Sequence, residues 1–125
     1  MGVRHNVEAI RAAGGAIERV VAVGGGTQGD LWLQIVSDVT GLTQEIPSIT
    51  IGASYGAAFL AAGVKQPSDI RAWNPVRRTV VPRPELAAEY DELYDLYREL
   101  YPATAPVGHA LAERQRQSAP CEQIA

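Results

Sequence analysis

The chain has 125 residues, 46% of them hydrophobic and 20% charged, which suits one globular domain with a buried core and is too short for two. A formal net charge of -3 with no run of Lys and Arg excludes electrostatic capture of nucleic acid or of an anionic membrane surface. The single cysteine, Cys121, excludes an intrachain disulfide and a cysteine-based metal cluster. With no apolar run of ~18 residues and no signal-peptide pattern, the expected setting is reducing and cytoplasmic.

In chain order, Val3, Val7, Ile10 and Ala13 recur at helical spacing and predict a first helix stopped by Gly14 and Gly15. The chain thus opens inside a helix, which we read as the start of a piece of something longer. Residues 19–23 form a continuous run rich in β-branched side chains, the pattern of a strand buried on both faces of a parallel sheet. Residues 24–29 are a loop. From Asp30, as N-cap, a helix runs to about Thr40 with Leu31, Ile35 and Val39 on one face, Trp32 and Val36 beside them, and Gly41 as C-cap.

Residues 43–46 predict a short strand ahead of Pro47. Gly52 then opens an Ala-rich helix that closes at Gly63. Its Ala53, Gly56, Ala57 and Leu60 make a face of little bulk that another element or a ligand can approach closely. Within a Pro-rich stretch, residues 79–81 predict an edge strand. Residues 85–101 give the clearest amphipathic helix: Leu86, Tyr90, Leu93, Tyr97 and Leu100 share a stripe, and Glu89, Glu92, Asp95 and Glu99 lie away from it. Pro102 is expected to stop it. The polar remainder predicts one short helix over residues 110–117 and a frayed end. Helices and strands alternating in this order predict an α/β fold with a small, mostly parallel sheet, divided into a domain of residues 1–101 and a polar tail of residues 102–125.

The stretch RVVAVGGGTQGDLW, residues 19–32, carries the chemistry. Backbone N–H groups at a glycine turn and at the helix start behind it converge on an anion, which the helix dipole also favours. Gly24, Gly26 and Gly29 satisfy G-x-G-x-x-G, and Glu45 lies about 20 residues on, where a dinucleotide site places its ribose-binding carboxylate. Against that reading, Glu45 is followed at once by Ile46 and Pro47, and the unit follows a helix instead of opening a domain. The pattern alone leaves open a tight structural turn, a dinucleotide site and a site for another nucleotide.

Three matching parts extend the pattern: the apolar run into GGGT, the helix LWLQIVSDVTG, and the small-residue helix GASYGAAFLAAG. Together they closely resemble the C-terminal nucleotide-binding region of the FGGY carbohydrate kinases, most of all the xylulokinase branch. The likeness extends from GVRHNVEAIRAAGG through YDELYDLYRELYP. It implies part of an actin-like ATPase (ribonuclease H-like) lobe, with ATP in the cleft between two lobes. It also implies that Gly24, Gly25, Gly26 and Thr27 lie against the adenosine and phosphate part of ATP, with the Asp30 helix behind. The helix from Gly52 resembles the family's second connecting helix, whose small face would serve rocking of the lobes or static packing alike. One departure stands out: where relatives commonly carry Lys or Arg and then Ser, this chain has Gln28 and Gly29.

The complete enzyme implied by the resemblance transfers phosphate from MgATP to a hydroxyl of a ketose or polyol, xylulose-like. Its first phosphate loop and catalytic Asp have no match here, since Asp30, Asp38, Asp69, Asp91 and Asp95 stand in no corresponding motif. No catalytic residue and no metal ligand is therefore assigned, and the chain is expected to be inactive alone. Asp38, Asp91 and Asp95 are expected in surface or structural roles, and His5 and His109 lack metal-ligand spacing. The tyrosines Tyr90, Tyr94, Tyr97 and Tyr101, with Trp32 and Trp73, are read chiefly as packing. Expected partners are ATP, the sugar by way of a lobe absent from this chain, and a second copy or a missing N-terminal portion. Two other classes stay open: a minimal NAD-type domain using Gly24, Gly26, Gly29 and Glu45, and a non-enzymatic interaction module that pairs through an exposed apolar face.

Overall fold

The amphipathic pattern of the first segment yields α1 (Gly2–Ala12), in a computed structural model that describes residues 1–63 and 69–118. Cys121 lies outside the described residues. After a single 3-10 turn at Gly25–Gln28 come α2 (Asp30–Thr40), β1 (Gln44–Pro47), α3 (Ala53–Gly63), the short α4 (Ile70–Trp73), β2 (Val76–Val80) and α5 (Ala87–Ser118). The chain divides into a compact unit of Met1–Tyr90 and a second unit that begins at Asp91. No described helix is long and apolar enough to cross a membrane.

The sheet corrects the expectation of a mostly parallel arrangement. β1 and β2 form a two-stranded antiparallel ladder, and residues 19–23 join it only through one parallel bridge, Val21 to Glu45. In that bridge the Ala22 amide donates to the Glu45 carbonyl and the Glu45 amide to the Val20 carbonyl, each at 2.9 Å. Intervening helices favoured parallel crossovers, but α4 reverses the chain and β2 returns against β1. Nor is the 19–23 run buried on both faces: Ala22 packs toward the core, while Val21 and Val23 are exposed on the opposite face. Composition reports that such a run tolerates burial, and the chain covers only one side of it.

The core of the first unit is small. Leu33 of α2, Ile46 of β1 and Val80 of β2 form its buried cluster, with Ala22 packed against it. Leu33 and Ser37 centre the buried side of α2, and Leu31, expected there, is 72% exposed. The line was misplaced because α2 is fastened by polar groups as much as by apolar ones. The Gln44 side-chain amide donates to the Leu33 carbonyl at 2.7 Å and to Ser37 Oγ at 2.8 Å, and Ser37 Oγ donates to the Val80 carbonyl at 3.1 Å. Every donor in this buried chain is satisfied, so it fixes α2 over both strands without an orphaned polar group.

Asp38 is the second fastening: of the surface and structural roles expected for it, the structure shows the structural one, with its side chain fully buried. It accepts from the Arg83 amide at 2.8 Å, from Arg83 Nε at 3.0 Å and Nη2 at 2.6 Å, and from Gln34 Nε2 at 2.8 Å. Burial pushes the carboxyl pKa up, but these hydrogen bonds and the guanidinium charge outweigh it and hold Asp38 below the usual Asp value. Gly41, at φ 67°, closes α2 in the left-handed conformation expected of a C-cap.

Tyr55 and Phe59 of α3 turn inward and meet Trp73 edge-on at 6.2 and 5.3 Å, which makes Trp73 a packing residue. The face of Ala53, Ala57 and Leu60 is left open. Pro102, expected to end the last helix, lies inside α5 with Pro106. A proline removes one backbone donor and crowds the preceding turn. Here Thr104 Oγ1 donates to the Leu100 carbonyl at 2.8 Å, and the Ala-rich sequence beyond restores helix to Ser118.

Asp38→Ala should lower the urea midpoint at pH 7, because it removes the acceptor shared by the Arg83 amide, the Arg83 guanidinium and Gln34. A lowered folded pKa means the Asp38 contribution is complete above the ordinary Asp value of about 3.9 and is lost as pH falls through the folded value. The difference between wild type and Asp38→Ala should therefore shrink on acidification below about pH 4.

Candidate functional site

The loop between residues 19–23 and α2 is shaped by three glycines in different ways. Gly24 sits at φ 87°, a conformation that side chains with a Cβ rarely adopt, and its amide donates to the Thr50 carbonyl at 2.6 Å. A Cβ on Gly26 would lie 3.4 Å from the Trp32 indole, so Trp32 forms the back wall of the loop. A Cβ on Gly25 would meet nothing within 4 Å, leaving open space above its backbone. Thr27 is buried and closes the turn: its amide and its Oγ1 both donate to the Gly24 carbonyl, at 3.1 and 2.7 Å. The Thr27 hydroxyl hydrogen thus goes to the loop itself.

Asp30, expected as N-cap, is the first residue of α2, and Gly29 holds the cap position without a side-chain bond. Asp30 instead pairs with Arg78 at 2.7 Å. Because both partners are largely exposed, that pair adds little stability. It does fix the rim of a cleft.

The cleft has a volume of about 450 Å³ and lies between the loop and the strands. Thr27, Gln28 and Asp30 line one side, residues 46–48 and 50 another, and Arg77 and Arg78 a third. It opens where residues 19–23 and β1 both end in the carboxyl direction, the usual place for a ligand in an α/β sheet. Of the four predicted loop residues, Thr27 lines the cleft directly, and Gly24, Gly25 and Gly26 form the backbone beside it.

Arg77 was not foreseen. Pro47 has no N–H to give the ladder, and the register slips there: Ile46 faces Arg78 whereas Pro47 faces Val76. Arg77 is the extra residue of this bulge, and bulges re-aim side chains. The Arg77 side chain lines the cleft and makes no hydrogen bond or ion pair among the described residues. The legible signal was a proline at the end of a predicted strand.

Glu45 is placed against the dinucleotide reading. It pairs with Arg19 Nε at 2.5 Å and stands opposite Val21, three residues before the loop, or roughly 10 Å back along the strand. Trp73 belongs to the aromatic cluster of α3. Among the described residues no group of three or more His, Cys, Asp and Glu side chains is placed to hold a metal ion.

Residues 1–63 match the model of the FGGY family of carbohydrate kinases, C-terminal domain. The chain belongs to the FGGY family. It is 30% identical over 112 residues to a xylulose kinase of Bacillus subtilis, covering 86% of this chain and 22% of that protein. It is 33% identical over 99 residues to an autoinducer-2 kinase of an Enterobacter species, covering 73% of this chain and 18% of the relative. Its backbone superposes on the crystal structure of xylulose kinase from Rhodospirillum rubrum with a TM-score of 0.75 at 29% identity, over 86% of this chain and 23% of that one. The chain therefore spans about a fifth of the length of these FGGY relatives, and its α/β architecture is that of part of their actin-like fold.

The loop glycines should separate on substitution. Gly24→Ala forces a Cβ into the left-handed region and should cost about 1–2 kcal/mol. Gly25→Ala has no neighbour to meet and should leave the melting temperature unchanged. Equal destabilisation of the two variants in thermal melts would contradict this reading of the loop.

Proposed function

We propose that this chain supplies the nucleotide-holding part of an ATP-dependent sugar kinase, with Gly24, Gly25, Gly26 and Thr27 against the adenosine and phosphates of ATP. The open space above Gly25, at the carboxyl ends of two parallel segments and next to the Arg77 cleft, is the observation that carries the reading. A backbone without a Cβ lets a phosphate or ribose approach its N–H groups, and the start of α2 adds its dipole. Arg77 supports it further. It offers the cleft an uncommitted cation, which offsets the uncharged Gln28 after the loop.

In the complete enzyme this part would present MgATP to a hydroxyl of a ketose or polyol, and the xylulose kinases among its relatives make a xylulose-like sugar the first candidate. Phosphoryl transfer is mainly a matter of positioning and of neutralising charge on the phosphates. This chain's contribution is the positioning: a rigid loop held by Thr27 and Trp32, and guanidinium charge from Arg77. Mg2+ needs oxygen ligands, and no suitable cluster stands among the described residues. No base for the sugar hydroxyl is assigned either. We assign residues 1–101 to the kinase lobe and residues 102–125 to its tail, in a cytoplasmic enzyme.

Calorimetric titration with MgATP tests the reading. Arg77→Ala should weaken binding roughly fivefold, about 1 kcal/mol, and Gly25→Ala should weaken it at least as much while the fold stays intact. A coupled assay with xylulose should detect no turnover by the chain alone. Unchanged ATP affinity in both variants, or tighter NAD binding abolished by Glu45→Ala, would overturn the assignment.

A further inference from the structure

Beyond Asp91, α5 carries a second pattern that the nucleotide reading leaves unused. Leu93, Tyr97, Leu100, Thr104, Val107 and Leu111 follow one another in steps of four and three, the 3.5-residue repeat of a coiled-coil seam. These positions stand open: Leu93 is 43% exposed, Tyr97 38%, Leu100 59%, Val107 64% and Leu111 63%. The Tyr97 and Thr104 hydroxyls are the polar groups among them; the Thr104 hydroxyl donates to the Leu100 carbonyl and so brings no unsatisfied donor to the seam. The charged residues from Asp91 to Arg116 fall outside the line, with the exception of Arg114, one step past its end. Both prolines fall outside it as well.

We propose that α5 is the surface through which two copies of this chain pair as an antiparallel coiled coil. The seam is self-complementary in that direction. With the dyad beside Pro102, Leu93 faces the partner's Leu111, Tyr97 faces the partner's Val107, and Leu100 faces the partner's Thr104. Every layer then sets a position of one kind against its counterpart, as knobs into holes require. No charged side chain enters a layer.

Charge fixes the direction. Residues 91–100 hold Asp91, Glu92, Asp95 and Glu99 against Arg98 alone, whereas residues 101–118 hold Arg114 and Arg116 against Glu113 alone. A parallel pair would bring the two acidic halves together, and an antiparallel pair opposes unlike halves and unlike helix dipoles. The seam runs for about 27 Å, which is short, so the pair should dissociate on dilution.

Sedimentation equilibrium of the full chain should show a reversible monomer–dimer equilibrium, and Leu100→Asp should raise the dissociation constant at least tenfold with the circular dichroism unchanged. Direction is read by disulfide formation in a Cys121→Ser background. An equimolar mixture of Leu93→Cys and Leu111→Cys chains should cross-link to each other, and either variant alone should not. A monomer at every concentration, an unaffected Leu100→Asp dimer, or self-cross-linking by Leu93→Cys alone would each overturn the proposal. A monomer that pairs only with a different protein would overturn it too.

Discussion

The position of α2 over the strands is the constraint on which the site depends, and buried polar contacts enforce it. Among the described residues of the first unit, four buried hydrophobic side chains, Leu33, Val39, Ile46 and Val80, give a thin core. Apolar packing of that extent would let a two-turn-and-more helix slide, since dispersion has little directional preference. Gln44, Ser37 and Asp38 remove that freedom, because each hydrogen bond holds at one register only. The glycine loop ends at the first turn of α2, so its geometry is inherited from these contacts some two turns away.

The cleft arises from the other end of the same assembly. Pro47 cannot extend the ladder, the bulge it forces turns Arg77 out of register, and the main-chain bond from Gly24 to Thr50 draws the loop over the resulting gap. A second link replaces the lost pairing: the Asn74 side chain both accepts from the Ile49 amide and donates to the Ile49 carbonyl, at 2.9 Å each. The loop, the bulge and the Asn74 bracket together make an opening of defined shape without a large core beneath it.

Much of this was legible in the sequence. The helices α1, α2 and α3 are legible by period and by glycine stops, and the loop by its glycines, whereas α4 and the continuity of α5 are not. Family likeness, not spacing, favours a kinase loop over a dinucleotide turn; Glu45, whose spacing favours the latter, is paired with Arg19. The failures share a cause. Hydrophobic periodicity passes over polar residues that are buried because they are bonded, so it leaves Asp38 between a surface and a structural role and says nothing of Ser37 and Gln44. Strand direction is invisible to a two-residue alternation, which cost the antiparallel ladder. A lone proline was read as a stop at Pro102, where an Ala-rich continuation and Thr104 outweigh one lost bond. At Pro47 the bulge it forces went unread.

The claim at the centre is that ATP meets this chain at residues 24–27. Amide chemical shifts of the isotopically labelled chain, followed as MgATP is added, report contact at each residue even when binding is weak. The account predicts that the largest shifts cluster at Gly24, Gly25, Gly26 and Thr27, with Arg77 and Arg78 moving alongside them, and that NAD produces smaller changes. Shifts that avoid the loop, or a larger response to NAD, would contradict it.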